Sequence, residues 1–570
     1  MSTHARPLAD WLAAARDDAL LRLLSARGVR PDAGWQDFFD AAESLLDPAS
    51  LARLLPSLTA AEARALLDAV SGGSAGPEQE QLIALALLRP DGTPYPPVVT
   101  ALAGRTAPEP PLGPETTRAS SETASAHAAE RAFTTVAVLA DLLLITRERP
   151  FALLIGGGVS SGEKRQLAES GVAVDLVDTL VAVALQAGLA VTAERRLRSS
   201  RSAEDWLRSS AVERWSVLAA SFRDALPRGV RSPDGGWIPP EQWPLAHPWD
   251  PSWPERSRTL HEAARLLGLI AEDGTEPEWA AGLRRGDAPD AGALARLLPT
   301  EVDRIFLQND LTAIAPGPLE PALDVRLRTI AARESAAQAS SYRFTSESVA
   351  HAFVAGETEQ SILDFLGAIS LTGIPQPLGY LIGQTAQRHG LVRVSTDEET
   401  GRTRIESSDP HLIQAMAVDQ SLRPLALSAH VESLTTRVSR ETVYWALTDA
   451  RYPATLVDSD GALVIRERHP APPAASPSTG APDLSSLIAR LRSHQGPDAD
   501  AAWLDRELEA AVRAKSVLQV TVGMPDGSTR ELLLEATGMG GGRLRGRDRA
   551  ADVERTLPVS SILAATIVAP

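Results

Sequence analysis

The sequence predicts a mainly helical, multidomain protein of the α+β class. Before about residue 300, most segments place apolar residues at helical spacing, whereas strand-like segments and hairpin turns appear from about residue 302 onward. Two segments rich in Pro, Ser and Thr, 106–130 and 469–485, interrupt these patterns and are predicted to be linkers. The chain has 570 residues, enough for about three or four domains.

Composition excludes several classes of protein. The net charge of −17 argues against a protein that coats DNA. A local basic surface is compatible with this net charge. Cysteine is absent, which excludes disulfides, zinc–thiolate sites and thiol catalysis. No apolar run approaches about 18 residues, so no membrane contact is expected. The start lacks the apolar core of a signal peptide, and we expect a cytoplasmic protein.

Residues 1–105 are predicted to form a helical N-terminal region. The segment "PLADWLAAARDDALLRLLSARG" has apolar residues at spacings of three and four and is predicted to be one helix that ends at Gly28. A second helix begins after Thr59, because Thr59 and Glu62 have the spacing of a capping box.

The segment "FALLIGGGVSSGEKRQLAES", at 151–170, nearly matches two catalytic motifs. Gly157 and Gly162 have the spacing of the two glycines in a phosphate-binding loop, but Glu163 occupies the position where that loop needs lysine. Residues 158–162 also match G-x-S-x-G, the motif that carries a nucleophilic serine. A serine hydrolase using Ser160 is therefore an alternative function.

A structural interpretation of the same segment is favoured over both catalytic ones. The hydrolase fold needs many alternating strands and helices, whereas this part of the chain is mostly helical, and His247 and His261 have no distinctive setting. Ser160 and Glu163 have the spacing of a capping box, which predicts a helix beginning here. We assign no catalytic residue.

Residues 131–300 are predicted to form a winged helix-turn-helix followed by a helical extension. The predicted order is a long helix, a short strand, two helices and a strand that enters a basic turn. At the position of the recognition helix, the segment "AVDLVDTLVAVALQAG" has Asp175 and Asp178 but no Arg or Lys, which does not suit base readout. A purely architectural or protein-binding winged helix is an equal alternative.

The positive charge of this region lies in the predicted wing. It consists of Arg195, Arg196, Arg198 and Arg201, which are candidate contacts to a nucleic-acid backbone.

Residues 301–468 resemble a known family. The segments "RIFLQNDLTAIAPGPL" and "YRFTSESVAHAFVAGETEQSILDFLGAISLTGIPQPLGYLIGQTAQRHGLVRV" resemble the helicase-associated α/β domain at the N-terminus of XPB-type helicases. The whole chain is similar to actinobacterial helicase-associated proteins that carry this domain without a motor. The sequence contains no Walker A motif and no D-E-x-H box.

The resemblance implies a non-catalytic, DNA-binding or helicase-partner adaptor in DNA repair or transcription. The partners it implies are DNA, duplex or forked, or an XPB-type helicase acting in trans. No cofactor is expected, and the ten histidines show no metal-ligand spacing. The alternative partner is protein alone: a scaffold without nucleic-acid contact fits the charge of −17.

Two residues of this segment have side chains suited to nucleic-acid contact. Arg388 is a candidate contact, and its alternative role is to cap a helix end. Tyr380 could stack on a base, but its register with Leu378 and Leu381 favours a place in the core.

Residues 486–570 resemble a small, β-rich module of the WYL type with an SH3-like fold. The resemblance lies in "LEAAVRAKSVLQVTVGMPDGSTRELLLEATGM" and "ERTLPVSSILAATIV", but Gly542-Arg543-Leu544 stands where that family has Trp-Tyr-Leu. Arg543, Arg545 and Arg547 form a basic hairpin and are further candidate phosphate contacts, with a solvated turn as the alternative.

Overall fold

The computed structural model describes residues 5–108, 118–169, 172–336, 339–430, 432–473, 483–494, 497–524 and 528–568. About half of the chain is helical, and the described residues form four small sheets around several hydrophobic cores. The predicted multidomain α+β class is confirmed. In these ranges no helix has the length and apolarity needed to cross a membrane.

The N-terminal region is a bundle of short helices. They are α1 (Arg6–Ala14), α2 (Asp17–Ala26), α3 (Phe38–Leu46), α4 (Pro48–Leu54), α5 (Ala60–Val70), α6 (Gln79–Ala84) and α7 (Pro96–Ala101).

The predicted first helix is two helices. Ala15 is extended, with ψ 149°, and separates α1 from α2. Asp17 and Asp18 lie in the first turn of α2, where acidic side chains favour a helix start. Gly28, at φ 63°, follows the end of α2 as predicted. The capping box before α5 is confirmed, since the side chains of Thr59 and Glu62 each accept from the other's backbone N–H.

A second unit follows, and its first helix starts inside the segment predicted as linker. The hydroxyl of Ser121 accepts from the N–H of Ala124 at 3.2 Å and begins the helix at Glu122. The elements of this unit are α8 (Glu122–Glu148), β1 (Phe151–Ala152), α9 (Ser161–Glu169), α10 (Val177–Gln186), β2 (Ala190–Ala193), β3 (Arg196–Ser199), α11 (Arg201–Arg208), α12 (Ala211–Asp224), α13 (Trp253–Leu266), α14 (Glu278–Arg284) and α15 (Ala291–Ala295). The strands form an antiparallel sheet in the order β1-β3-β2.

Tryptophans fill the core of this unit and explain the Trp- and Pro-rich stretch before α13. Their indole N–H groups donate to backbone carbonyls, so that these polar atoms are satisfied in the interior. The buried tryptophans with such a bond are Trp206, Trp215, Trp243, Trp253 and Trp279.

The third unit has two hydrophobic cores and two sheets. Its elements are β4 (Phe306–Leu307), β5 (Thr312–Ala315), α16 (Pro321–Ile330), β6 (Ala332–Ala336), β7 (Ser340–Arg343), α17 (Ser346–Val354), α18 (Glu359–Ile369), α19 (Gln376–Arg388), β8 (Val392–Thr396), β9 (Thr403–Ser407), α20 (Pro410–Val418), β10 (Ser428–Ala429), β11 (Ser433–Thr436), α21 (Arg440–Asp449) and β12 (Ala454–Leu456). The sheet orders are β4-β5-β7-β6 and β10-β11-β9-β8-β12.

The sequence of this unit predicts a hairpin from "LVRVS" and "RTRIES", at 391–395 and 402–407, and a single strand from "AHVESL", at 429–434. The hairpin of β8 and β9 is confirmed, with Val392 paired to Ser407. The single strand predicted at 429–434 is wrong: β10 ends at Ala429 and β11 begins at Ser433, with a turn between them. The N–H of His430 donates to the carbonyl of Ser433 at 2.8 Å and closes that turn, in which residue 431 lies outside the described ranges.

The C-terminal elements include an antiparallel sheet of five strands. The elements are α22 (Ser485–Ser493), α23 (Pro497–Ala514), β13 (Val517–Gly523), β14 (Thr529–Gly540), β15 (Arg543–Asp548), β16 (Val553–Pro558) and β17 (Ile562–Val568), and the strand order is β16-β15-β14-β13-β17. The buried side chains of α22 belong to the core of the N-terminal bundle, as does Trp503 of α23.

Candidate nucleic-acid interface

The hairpin of β2 and β3 carries the four arginines predicted for the wing. Its two-residue turn consists of Glu194 and Arg195, which have φ 50° and 59° and therefore the left-handed geometry of a tight hairpin turn. The carbonyl of Arg195 accepts from the N–H of Leu153 at 2.9 Å, which ties the turn to the segment after β1. The side chain of Arg195 is exposed at the tip.

Other parts of the chain occupy much of this hairpin. Arg196 donates to the carbonyl of Pro150 at 3.3 Å, and Arg198 donates to the carbonyl of Pro470 at 2.8 Å. The backbone N–H of Arg201 donates to the carbonyl of Pro472 at 2.8 Å. Residues 469–473, hereafter the strap, therefore lie against the hairpin at Arg198 and Arg201.

Two further ion pairs affect this unit, one just before the strap and one on α10. Arg468 makes a two-pronged ion pair with Asp449 of α21, at 2.7 Å for each oxygen, and so fixes the start of the strap. Asp178 of α10 is paired with Lys164 of α9, and Asp175 is exposed. α10 thus carries no arginine or lysine, as its sequence indicates, and does not suit contact with bases.

The arginines of β15 have a different environment. Arg543, Arg545 and Arg547 are exposed and alternate with the buried residues Leu544, Gly546 and Asp548. Arg547 pairs with Asp552 at 2.7 Å. Among the residues that the structure describes, neither Arg543 nor Arg545 has an ion pair or a side-chain hydrogen bond.

Small and uncharged residues flank these two arginines. In the sheet, Arg545 lies between Gly538 and Thr556, and Arg543 lies between Gly540 and Pro558. A side chain at Gly538 or Gly540 would meet nothing within 4 Å, so the surface beside the two guanidinium groups is open. We call Arg543, Arg545 and these four neighbours the arginine face. The carboxylates on this side of the sheet, Glu535 and Glu554, lie beside Arg547 instead. Two unpaired cations on an open surface suit phosphate contacts.

Asp548 does not neutralise the arginine face, although it lies within the basic run of the sequence. It points to the opposite side of the strand and is buried, with 2% of its surface exposed. Its carboxylate accepts from Arg555 at 2.6 Å and from the N–H of Ala550 at 3.0 Å, and the bond from Arg555 is the main cause that lowers the pKa of Asp548.

Arg388 ends α19 at the mouth of a cleft of about 420 Å³. The cleft lies between α17, α19 and α21 and is closed by residues 452–454; we call it the α19–α21 cleft. Arg388 is exposed and has no hydrogen bond or ion pair within the described part of the chain. Arg451, which no sequence pattern indicated, lies on the other wall with φ 63° and contacts Glu347 at 3.5 Å.

Tyr380 corrects one prediction from the sequence. The side chain is 69% exposed, so the predicted place in the core is wrong. Leu378 and Ile382 supply the buried side of α19 instead. Tyr380, Gln384 and Arg388 are spaced by four residues, which places them on one exposed side of the helix.

Ser160 acts as a helix cap in this structure. Its hydroxyl accepts from the N–H of Glu163 at 3.3 Å. The second half of the predicted capping box differs, because the carboxylate of Glu163 pairs with Arg149 at 2.8 Å. His247 is engaged elsewhere, with Nδ1 at 3.1 Å from the carbonyl of Leu58, and the ring of His261 packs on Trp243.

The segment 458–462 forms a turn. The sequence Asp460-Gly461 predicts a hairpin turn. Asp458 accepts from the N–H groups of Asp460 and Ala462 at 3.0 and 2.8 Å and closes this turn, in which Gly461 has φ 78°. Across the described ranges, no group of three or more His, Asp or Glu side chains has the arrangement of a metal site.

Residues 305–430 match the model of a family described as the helicase conserved C-terminal domain. No curated protein matches the chain. The matched segment holds β4 to β10 and the lining that α17 and α19 give to the α19–α21 cleft, including Arg388. The match supports the helicase-associated protein that the sequence predicts, whereas the resemblances to XPB-type and WYL-type proteins stay predictions.

Proposed function

We propose that this protein is a non-catalytic, helicase-associated adaptor that binds DNA in DNA repair or transcription. The observation that carries the proposal is the helicase-family match over residues 305–430, in a chain whose sequence has no Walker A motif. The arginine face supports the DNA-binding part, since it offers two unpaired cations to a phosphate backbone. An XPB-type helicase acting in trans is the protein partner that the resemblance favours.

Within this proposal, residues 122–199 form a winged helix and the C-terminal sheet is a WYL-like module. The order α8, β1, α9, α10, β2, β3 supports the first interpretation, and the five-stranded antiparallel sheet supports the second. The winged helix has an architectural role in this proposal, because α10 carries no Arg or Lys for base contacts and Arg198 is bonded to the strap. Backbone contact with DNA then falls to the arginine face.

The test is fluorescence anisotropy of labelled duplex, forked and single-stranded DNA over a salt series. The double variant R543A/R545A is expected to bind more weakly and to reduce the salt slope by about 2, since each lost phosphate contact reduces it by about 1. A preference for forks would support the XPB-type resemblance.

The control is R16A/R22A, which removes the same charge from α2 and its N-terminal flank, where both arginines pair with Asp18 at 3.2 and 3.3 Å. It is expected to bind DNA as the unmodified protein does. Equal affinities of the two double variants would contradict a role for the arginine face. No binding of the unmodified protein at low salt would overturn the DNA-binding function.

A scaffold without nucleic-acid contact is the second candidate, and the net charge of −17 favours it. It predicts that none of the three DNA forms binds at any salt concentration. In that case a purified XPB-type helicase is the partner to test, by size-exclusion chromatography of the mixture.

The geometry at Ser160 gives the serine hydrolase alternative no support. The hydroxyl is used by the helix N-terminus, and the two downstream histidines have other contacts. Labelling of Ser160 by a serine-reactive phosphonate, lost in S160A, would reinstate this alternative.

A further inference from the structure

The α19–α21 cleft combines cations at its mouth with an apolar floor. Arg388 and Arg451 come from the C-terminal ends of two helices, and Glu347 is the carboxylate that lines the cleft. The floor includes Ala350, Val354, Pro453 and Ala454. A volume of about 420 Å³ lies within the range of small-molecule sites. The matching ligand has an anionic group attached to a flat or apolar body.

Two aromatic side chains of the cleft carry no charge at neutral pH. Burial lowers the pKa of His389, and its ring packs on Phe353 with 5.2 Å between centroids. Tyr452 donates its hydroxyl to Asp419 at 2.8 Å; burial and this bond raise the pKa of Tyr452 to about 12.

Arg388 and Arg451 differ in whether a carboxylate pairs with them. Arg388 has no counter-charge among the described residues, so an incoming anion meets an uncompensated cation. Arg451 contacts Glu347 at 3.5 Å, and the two side chains are 81% and 73% exposed. An ion pair so exposed is weak, and an anion with more charge can displace Glu347 from it.

The exposed side of α19 extends the cleft along the surface. Tyr380, Gln384 and Arg388 share that side, and eight residues of helix separate Tyr380 from Arg388 by about 12 Å. An exposed tyrosine offers a flat surface on which a base can stack, whatever its identity. A chain of nucleotides is a ligand that uses both the cation at the cleft and the ring beyond it.

We propose that the α19–α21 cleft binds the phosphate of one nucleotide between Arg388 and Arg451, and that the neighbouring base of a single strand stacks on Tyr380. This inference rests on the proposed DNA-binding function and adds a second surface, specific for single strands, to the arginine face. The chemistry recognised is a nucleoside phosphate, whether free or within a strand.

The test compares dTMP, measured by titration calorimetry, with a 3′-labelled ten-residue oligothymidine, measured by anisotropy. R388A and R451A are each expected to weaken binding of the oligonucleotide about tenfold or more, the usual effect of removing a hydrogen bond to a charged group. E347Q is expected to strengthen it several-fold, because Arg451 then has no competing carboxylate. R437A is the matched control, since Arg437 is exposed and does not line the cleft.

Variants of Tyr380 distinguish the two sources of the phosphate, a free nucleotide and a single strand. Y380A is expected to weaken binding of the oligonucleotide about tenfold and to leave binding of dTMP unchanged, whereas Y380F is expected to retain both affinities. If dTMP binds well and Y380A has no effect on the oligonucleotide, the site belongs to a free nucleotide and the strand is excluded.

Oligonucleotide affinities of R388A and R451A equal to that of R437A would overturn the cleft as a site. The arginine face is tested separately, because R543A/R545A changes binding of duplex DNA. If the cleft variants bind the oligonucleotide normally and the protein still binds duplex DNA, the cleft proposal is wrong and the proposed function stands. If the protein binds neither the oligonucleotide nor duplex DNA, the proposed function is wrong as well.

Discussion

At the scale of the residue, one buried carboxylate joins two units of the chain. Asp141 of α8 is 9% exposed and accepts from Arg328 of α16 at 2.7 Å and from Arg333 of β6. Both arginines are largely shielded from water; Asp141 is a counter-charge to each of them, and Asp324 is a second counter-charge to Arg328 at 3.7 Å. Asp141 therefore fixes the position of α8 against the helicase-related segment.

We predict that D141A destabilises the protein by about 3 kcal/mol, because removing one partner leaves two cations poorly solvated. The measurement is the free energy of unfolding from urea denaturation. D18A is the matched control: Asp18 also contacts two arginines, but in solvent, and its loss is expected to cost less than about 0.5 kcal/mol. Similar losses for the two variants would show that the buried cluster adds no stability.

At the scale of the element, the strap determines which arginines of the β2–β3 hairpin are available. The carbonyls of Pro470 and Pro472 accept from Arg198 and from the backbone of Arg201, and the ion pair of Arg468 with Asp449 fixes the start of the strap. A guanidinium bonded to the chain's own carbonyl must give up that bond before it binds phosphate. Its cation is therefore a weaker DNA contact than those of the arginine face.

We predict that R198A loosens the strap and changes DNA affinity less than R543A/R545A does. Without the bond from Arg198, the bond between the N–H of Arg201 and Pro472 opens more often, so the amide of Arg201 exchanges hydrogen faster. Hydrogen exchange followed by mass spectrometry of the peptide that contains Arg201 measures this. R195A is the control, since its side chain is exposed at the turn, and unchanged exchange in both variants would contradict the prediction.

At the scale of the whole molecule, the N-terminal bundle shares its core with residues 484–503. Leu487, Ile488 and Leu491 of α22 are buried among the N-terminal helices. Trp503 of α23 packs near Phe39, and its indole N–H donates to Asp37 at 3.2 Å. The C-terminal sheet that carries the arginine face is thus connected through α23 to the N-terminal bundle.

We predict that W503A lowers the free energy of unfolding by about 3–5 kcal/mol, the range for truncating a buried aromatic residue. Amides of α3 should also exchange faster, although α3 lies far away in sequence. L563A is the control, because Leu563 is 59% exposed and its loss should change neither quantity appreciably. A loss of stability without faster exchange in α3 would contradict a shared core.

Local patterns were reliable where neighbouring residues decide the structure. Thr59 and Glu62 form their capping box, and β8 pairs with β9, because turn chemistry and alternation act over a few residues. The same patterns failed at Ala15 and at Tyr380. Periodicity does not reveal a two-residue break between two helices, nor does it tell which side of a helix meets a neighbour.

The sequence by itself determined the type of most elements, the absence of arginine and lysine from α10 and the alternation that places Arg543, Arg545 and Arg547 on one side of a strand. Only the tertiary structure decided which cations are free. Arg198 is engaged by a carbonyl 272 residues away, and Arg451 faces Arg388 across a cleft built from three helices. The reason is physical: helical and strand periods are set by adjacent residues, whereas the partner of a charge is set by packing between segments distant in the chain.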